Sequence, residues 1–251
     1  MKNLILMCLL LLPGFLLSQV NQKDAKGRKQ GPWSKTYPKS KTLEYKGQFK
    51  DDKPVGTFIY YYKSSKKKAE IIHDEVTGRS SAIFYHETGG VMSKGIYKNL
   101  KKDSIWLNYT PSGRLSSSES YKNDLLDGKL IMYYIPEDVA DRSLIVSSTC
   151  LYVKGLREGE YIDYFINGVV KSKGIYKADK KHGIWETYHT NGKKMNVNRF
   201  KDGVKHGWTM VYNAAGKELS RHYYYYGRLL EGQELTNKME QFKALGIDPN
   251  Q

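Results

Sequence analysis

The sequence predicts an all-β repeat protein of about eight stacked 24-residue β-hairpins. They form an extended antiparallel meander, and a short C-terminal helix caps it. The first observation behind this prediction is composition: the chain has 21 Tyr and 23 Gly among 251 residues but only 7 Pro. Tyrosine favours half-buried strands and glycine favours turns. The other two observations are an aromatic motif at constant spacing and an amphipathic segment at the C-terminal end.

The aromatic motif defines an internal repeat. Residues 174–193 align with residues 95–114 without a gap, and both contain Gly-Ile-Tyr-Lys followed by Ile-Trp. We number each repeat from the residue that lies two before the Trp position. This position 0 is occupied by Gly31, Gly56, Ser80, Ser104, Gly128, Gly159, Gly183 and Gly207. The steps are 25, 24, 24, 24, 31, 24 and 24 residues, which is typical of a stacked-repeat architecture. The array is predicted over residues 24–232, with an insertion at about 135–148 and a degenerate ninth repeat at Gly232.

Several other positions recur and predict that each repeat is one β-hairpin. Tyr fills position +5, Gly fills +9 and an aromatic residue fills −7 in most repeats. Asn167-Gly168 and Asn191-Gly192 predict type I′ turns, and a polar loop such as 179–182 leads into the next hairpin. The residues assigned structural roles on this basis are Trp106, Trp185, Tyr109, Tyr188, Tyr212, Gly113, Gly168, Gly192 and Gly216.

The pattern resembles the MORN repeat, in the bacterial variant known as the YwqK-like "antitoxin" family. The matching residues are Tyr176-Lys177, Asp179, Lys181-His182-Gly183, Trp185, Tyr188 and Asn191-Gly192, and again 200–203 with 205–207. The resemblance covers roughly residues 24–232. It implies a single-layer meander of hairpins that acts as a scaffold or binding surface. Two repeats depart from the pattern: one has a lysine-rich turn at 64–68 without Gly, and the one at Gly128 leads into the insertion.

The sequence leaves two arrangements of the sheet faces open. With a two-residue turn at +8 and +9, position +5 would pair with +12. Tyr188 would then lie with Met195 on one face, and Trp185 with Phe200 on the other. Either a bulge brings the aromatic stripes together, or both faces are aromatic and one is covered.

The C-terminal segment 233–251 predicts an amphipathic helix and tail. Leu235, Met239, Phe242 and Leu245 have helical spacing. Asn237 and Glu240 are predicted to form the N-terminal capping pair, and Gly246 with Pro249 to end the helix. This helix would cover the last open edge of the sheet. Docking to a partner is the alternative.

Residues 1–18 resemble a secretory signal peptide. Lys2 precedes an apolar run over 3–17, and cleavage is predicted between Ser18 and Gln19. An uncleaved anchor is the alternative. The mature chain would have no transmembrane span and would be periplasmic, associated with the outer membrane, or secreted. Its only cysteine would be Cys150, as a buried hydrophobic residue or an intermolecular thiol.

The sequence predicts no catalytic, cofactor-binding or metal-binding residues. His182 and His206 both occupy −1, and His86 and His189 both occupy +6, which favours structural roles. No metal-ligand or nucleophile motif is present. The acidic group of Glu137, Asp138 and Asp141 lies in the insertion and is predicted to be a solvated loop. A hydrolase of envelope polymers is the alternative that this group leaves open.

The charge balance points to anionic partners. The chain has 41 basic and 26 acidic residues and a formal charge of +15. Position −6 is occupied by Lys50, Lys98, Lys122, Lys177 and Lys201. These lysines are predicted to form a ladder along one edge, with Lys101-Lys102 and Lys180-Lys181 adding to it. They would either contact an anion or maintain solubility.

The sequence therefore predicts a non-enzymatic binding or scaffold protein at the cell envelope. Its partner would be a protein or an anionic lipid or glycan, while the export signal disfavours nucleic acid. An antitoxin or immunity protein that neutralises a partner toxin is the alternative. The oligomeric state is left open.

Overall fold

The computed structural model describes residues 19–135 and 143–250. The predicted signal peptide with Ser18, and the acidic group of Glu137, Asp138 and Asp141, lie outside these residues. Among the described residues, no helix is both long and apolar enough to cross a membrane.

The described residues form one long antiparallel meander of nineteen strands with a single short C-terminal helix, which confirms the predicted fold class. Each strand pairs with the next along the chain, and β16 and β17 share β15 as their neighbour. The strands are β1 (Gln22–Lys23), β2 (Lys29–Thr36), β3 (Leu43–Lys50), β4 (Lys53–Tyr61), β5 (Lys67–His73), β6 (Arg79–Tyr85), β7 (Val91–Lys98), β8 (Lys101–Tyr109), β9 (Leu115–Lys122), β10 (Leu125–Tyr133), β11 (Val146–Val153), β12 (Leu156–Tyr164), β13 (Val170–Lys177), β14 (Lys180–Tyr188), β15 (Lys194–Lys201), β16 (Val204–Lys205), β17 (Gly207–Tyr212), β18 (Glu218–Tyr225) and β19 (Arg228–Leu230).

The predicted type I′ turns at Asn-Gly are wrong. At Asn191-Gly192 only the glycine has positive φ, at 82°. The Gly192 N–H donates to the His189 carbonyl at 2.9 Å, and the His189 N–H donates to the Lys193 carbonyl at 2.8 Å. This is a type I turn closed by a left-handed glycine, which also favours Asn-Gly.

The two-residue turns with positive φ at both residues lie at the other end of the hairpins. Ala178 and Asp179 have φ of 46° and 66°, the pattern of a type I′ turn. The predicted polar loop 179–182 is therefore wrong, because β14 already begins at Lys180. The same pair of positive φ values occurs at Asp51-Asp52, Asn99-Leu100 and Asn123-Asp124. We call the side of the sheet that these connections form the turn edge.

Position 0 is the site of a bulge in most repeats. Gly183 has φ of 65°, and the register between β13 and β14 shifts between Lys173 and Ile175. The repeat at Ser80 is different. Ser80 is not among the residues with positive φ, and β5 and β6 pair without a shift. Their connection is also longer, since it spans residues 74–78.

Both faces of the sheet are aromatic. The predicted pairing of +5 with +12 is wrong, because the register shifts beside Tyr188 and pairs it with Lys194 rather than with Met195. Trp185 and Phe200 share the opposite face, as predicted, with ring centroids 6.4 Å apart. We call the face of Trp106 and Trp185 the tryptophan face, and the face of Tyr109, Tyr188 and Tyr212 the tyrosine face.

The core lies on the tryptophan face. It is a row of side chains from repeat positions −9 and +2. The Trp185 ring lies across Gly174, and its Nε1 donates to the Ile175 carbonyl at 3.0 Å. Trp106 and Gly95 repeat this arrangement, and Trp106 is only 1% exposed. Other repeats have side chains of other sizes at −9 and +2. These pairs are Gly47 and Phe58, Ile71 and Ala82, and Cys150 and Tyr161. A large residue at one position is thus matched by a smaller one at the other, which keeps the row closely packed.

Hydrogen bonds join consecutive repeats at both ends of the hairpins. At the turn edge, the Asp179 N–H donates to the Arg157 carbonyl at 3.0 Å, and Asp179 Oδ1 accepts from the Arg157 N–H at 2.9 Å. At the other end, position +6 bonds the next repeat. His189 Nε2 lies 3.0 Å from the Tyr212 carbonyl. His86, Tyr37, Tyr62 and Tyr134 make equivalent bonds. The two +6 histidines therefore have structural partners.

The C-terminal helix α1 (Gly232–Leu245) packs on the last strands. Phe242 forms a buried cluster with Tyr223 and Leu230. The predicted capping pair is wrong, because Asn237 and Glu240 lie inside the helix. The helix begins earlier because Leu235 and Met239 both pack against this cluster. It ends at Gly246 as predicted, with a φ of 66°.

Candidate binding surface at the turn edge

The five lysines at position −6 end their strands immediately before the turn edge. In three repeats the residue directly opposite is another lysine: Lys50 pairs with Lys53, Lys98 with Lys101, and Lys177 with Lys180. Like charges in directly opposite positions destabilise a sheet. The strand alternation places these lysines on the tyrosine face.

Four of these five lysines form no ion pair with any described residue. Lys98, Lys122 and Lys177 are exposed and form no ion pair with any described residue. Lys50 Nζ lies 3.2 Å from Glu75, and Lys201 Nζ lies 5.6 Å from the centre of the Tyr226 ring. Lys98, Lys122 and Lys177 are therefore free of ion pairs within the described part of the chain, and aspartates such as Asp124 and Asp179 lie in the same turns.

The lysines do not form one continuous ladder. Position −6 is Asp74 in the repeat at Ser80 and Val153 in the repeat at Gly159. These two residues divide the basic side chains into three lysine groups. The groups are Lys50 with Lys53; Lys98 with Lys101 and Lys122; and Lys177 with Lys180 and Lys201. Within the second and third groups, neighbouring repeats place the lysines about 10 Å apart, which is two strand spacings.

Lys102 and Lys181 do not add to this edge, contrary to the prediction. They lie on the tryptophan face, where Lys181 Nζ is 4.3 Å from the centre of the Trp185 ring and 5.3 Å from that of Phe200. Lys102 lies in the same way between Trp106 and Tyr121. Burial, and then the nearby charge of Arg157, lowers the pKa of Lys181. These contacts are cation–π interactions that link one repeat to the next.

The sequence analysis missed this second basic position, although it recurs at −2. A cation lies over the −7 aromatic ring of the following repeat in four cases, at Lys29, Lys102, Arg157 and Lys181. Lys205, also at −2, lies over Tyr224 after the last complete repeat. The recurrence of a basic residue at −2 is the sequence signal that could have identified this position.

The carboxylate of Glu186 on the tyrosine face is held by its neighbours. Burial raises its pKa, but hydrogen bonds from Lys194, Tyr188 and Lys173 outweigh this effect and lower the pKa to about 2. Lys194 Nζ is 2.6 Å away and Lys173 Nζ is 3.3 Å away. The Glu186 carboxylate is therefore ionised, and its bonds to these neighbours give it a structural role.

Cys150 is part of the core of the tryptophan face. It is 6% exposed and clusters with Tyr176 and Trp185. Burial raises the pKa of its thiol, as expected for an unreactive cysteine. No group of three or more potential metal ligands occurs among the described residues.

Comparison with known proteins supports the repeat assignment. Residues 81–99 and 181–202 match the family model of the MORN repeat variant. Each matched segment covers most of one hairpin and the turn that follows it. MORN-type repeats suggest a repeat-type binding module. No protein of curated function matches the chain.

Proposed function

We propose that this chain is a non-enzymatic binding module of the cell envelope, and that its lysine groups contact an anionic surface. The observation that carries the proposal is the pairing of lysine directly opposite lysine at three turns. The MORN-type repeats support a binding role, and the apolar residues 3–17 support export.

An anionic partner explains why lysine occupies both positions of these pairs. Two ammonium groups on opposite strands repel each other in the free protein. A phosphate or carboxylate placed between them would interact favourably with both. Since Lys122 and Lys201 extend the second and third groups into neighbouring repeats, a surface with many anionic groups would be held at several points.

The proposal can be tested by binding to vesicles that contain anionic lipid, to an anionic glycan, and to envelope extract of the native cell. In one variant Lys98, Lys101, Lys177 and Lys180 are changed to Gln. The matched control changes four exposed lysines in or beside the opposite turns to Gln, namely Lys39, Lys41, Lys66 and Lys217. Both variants lose the same net charge.

We expect the first variant to bind at least tenfold more weakly than the wild type and the control to bind nearly as well as the wild type. An equal loss in both would mean that only net charge matters, and would contradict the proposal. A single protein retained at high salt, without lipid or glycan binding, would favour the antitoxin-like alternative instead.

A further inference from the structure

The tyrosine face carries a row of aliphatic side chains at positions −8 and +1, which lie directly opposite each other on neighbouring strands. In six of these pairs one residue is Ile or Leu and the other is polar. The pairs are Thr57 with Ile72, Ser81 with Ile96, Ile105 with Ser120, Lys129 with Leu151, Glu160 with Ile175, and Ile184 with Arg199. Five of the six aliphatic side chains are between 38% and 57% exposed. Their constant position distinguishes them from the scattered apolar residues of an ordinary surface.

The helix α1 covers the C-terminal end of this row. Trp208 occupies position +1 and lies four residues before Tyr212 in the same strand, so it shares the tyrosine face. The residue directly opposite Trp208 is Tyr223. Phe242 of α1 packs on Tyr223 with ring centroids 6.3 Å apart, and Tyr223 is completely buried. The row is therefore a surface on which this fold already packs a helix.

An ion pair at the turn edge accompanies this packing. Arg228 is the first residue after the two-residue turn Tyr226-Gly227, and it pairs with Glu234 in the first turn of α1. Lys101 has the same place after the turn Asn99-Leu100, since it also begins its strand. The docked helix thus places an acidic side chain where the turn edge offers a basic one.

The second lysine group combines the uncovered row with an excess of positive charge. Four exposed lysines on this part of the tyrosine face have no ion pair with any described residue, namely Lys98, Lys101, Lys122 and Lys129. Of the nearby carboxylates, Asp103 lies 3.8 Å from Arg79, and Asp124 and Asp127 accept backbone N–H groups. Four unpaired ammonium groups therefore stand against two carboxylates without a cationic partner in the described chain.

The spacing of these residues suits a helix that crosses the strands. Neighbouring strands are about 4.8 Å apart and successive turns of a helix about 5.4 Å apart, so each helical turn would meet about one strand. Position −6 lies two residues, or about 7 Å, from position −8, which is close to the radius of a helix with its side chains. The helix α1 also crosses strands, since it follows β19 and the segment after it reaches β17, where the Trp208 N–H donates to Asn250 Oδ1 at 3.3 Å.

We infer that the second lysine group, with Ile96, Ile105 and Leu125 beside it, binds an amphipathic α-helix of a partner protein. The apolar stripe of that helix covers the aliphatic row, and acidic residues on one flank pair with the lysines at the turn edge. The packing of α1 on the same row, with Glu234 on Arg228, is the observation that favours a helix over other anionic partners. The inference rests on the proposed function, because it specifies the partner class for one lysine group.

The test titrates the full chain with a synthetic Ala-rich helical peptide that has Leu at i, i+4, i+7 and i+11 and Glu along one flank. One comparison peptide has Lys in place of Glu, and the other has Ser in place of Leu. Calorimetry measures the affinity, and the NMR signals of the Ile96 and Ile105 amides locate the site.

Two variants with matched controls test the apolar and the charged contacts separately. Ile105→Ser removes a side chain of the row that is 57% exposed, and its control is Ile166→Ser, which removes a side chain that is 60% exposed in a turn at the opposite end of the hairpins. The charge variant is Lys98→Gln/Lys101→Gln. Its control changes two exposed lysines beside an opposite turn, as Lys39→Gln/Lys41→Gln.

We expect the acidic peptide to bind and to shift the Ile96 and Ile105 signals. Ile105→Ser and the charge variant should each weaken binding at least fivefold, while both controls bind within twofold of the wild type. The inference is overturned if either comparison peptide binds equally well, if the shifts lie only in other repeats, if a control loses as much affinity as its variant, or if no peptide binds.

The vesicle and glycan measurements separate this inference from the proposed function. Absence of peptide binding with intact vesicle or glycan binding would refute this inference alone. Loss of binding to every anionic probe would also refute the proposed function.

Discussion

Replacing Gly174 with Ala tests the packing of the tryptophan face. A Cβ atom on Gly174 would lie 2.3 Å from Cδ2 and 2.4 Å from Cε2 of Trp185. Carbon atoms normally approach to about 3.5 Å, so the ring would have to move by roughly 1 Å. It cannot do so freely, because Tyr176 lies 5.0 Å from it and Phe200 lies 6.4 Å from it, centroid to centroid. Overpacking of this kind costs about 1–3 kcal/mol, and we expect a value near the upper end.

The neighbouring repeat supplies the control for this prediction. Cys150 and Tyr161 occupy the same two positions as Gly174 and Trp185. The double variant Gly174→Cys/Trp185→Tyr should therefore be destabilised by less than its two single variants together. We expect its decrease in the free energy of unfolding to be at least about 1 kcal/mol smaller than the sum of the two single decreases, as for residues in contact. Urea unfolding followed by circular dichroism measures the midpoints, and the slopes show whether they can be compared. The packing argument would be refuted if the free energy of unfolding of Gly174→Ala were within about 0.5 kcal/mol of the wild-type value. Strict additivity of the two single effects in the double variant would refute it as well.

Three further predictions concern the joints and the cap. His189→Ala removes the partner that lies 3.0 Å from the Tyr212 carbonyl and should lower the free energy of unfolding by about 1 kcal/mol, whereas His189→Tyr should restore it in urea unfolding. The folded-state pKa of Glu186 is about 2, below its unfolded value of about 4.3. Its contribution to the free energy of unfolding is therefore complete above about pH 5 and is lost as the pH falls towards 2. Glu186→Gln should flatten this part of a plot of urea midpoint against pH. Phe242→Ala should lower the free energy of unfolding by about 3 kcal/mol, since this side chain is 7% exposed. Asn237→Ala, on the exposed face of α1, is the control and should change thermal stability very little.

The fold could be predicted because the repeat supplies the same information eight times. A single Asn-Gly pair does not identify a turn type, since both a type I′ turn and a type I turn closed by glycine favour it. The type I′ turns were missed because non-glycine residues such as Ala178 occupy them. Neighbouring repeats help to hold this backbone: the Ala178 N–H donates to Glu158 Oε2 at 2.7 Å.

The lysine groups could be located from the sequence, but their surroundings could not. Lys101 and Lys102 were predicted to share an edge because both were assigned to a loop. They belong to strand β8, where adjacent side chains point to opposite faces. The irregular repeat at Ser80 was also missed, because the 24-residue step is preserved there although the connection is longer and the bulge is absent.

The bonds that join consecutive repeats have a consequence for how the gene can change. Regular repeats present equivalent acceptors to the repeat after them and equivalent donors to the repeat before them. Duplication or deletion of one complete hairpin would therefore recreate the same joints at the new boundary, provided that the side chains at −9 and +2 still match in size. The length of the basic edge can thus change in whole steps during evolution, while the helix at the C-terminal end stays unaltered.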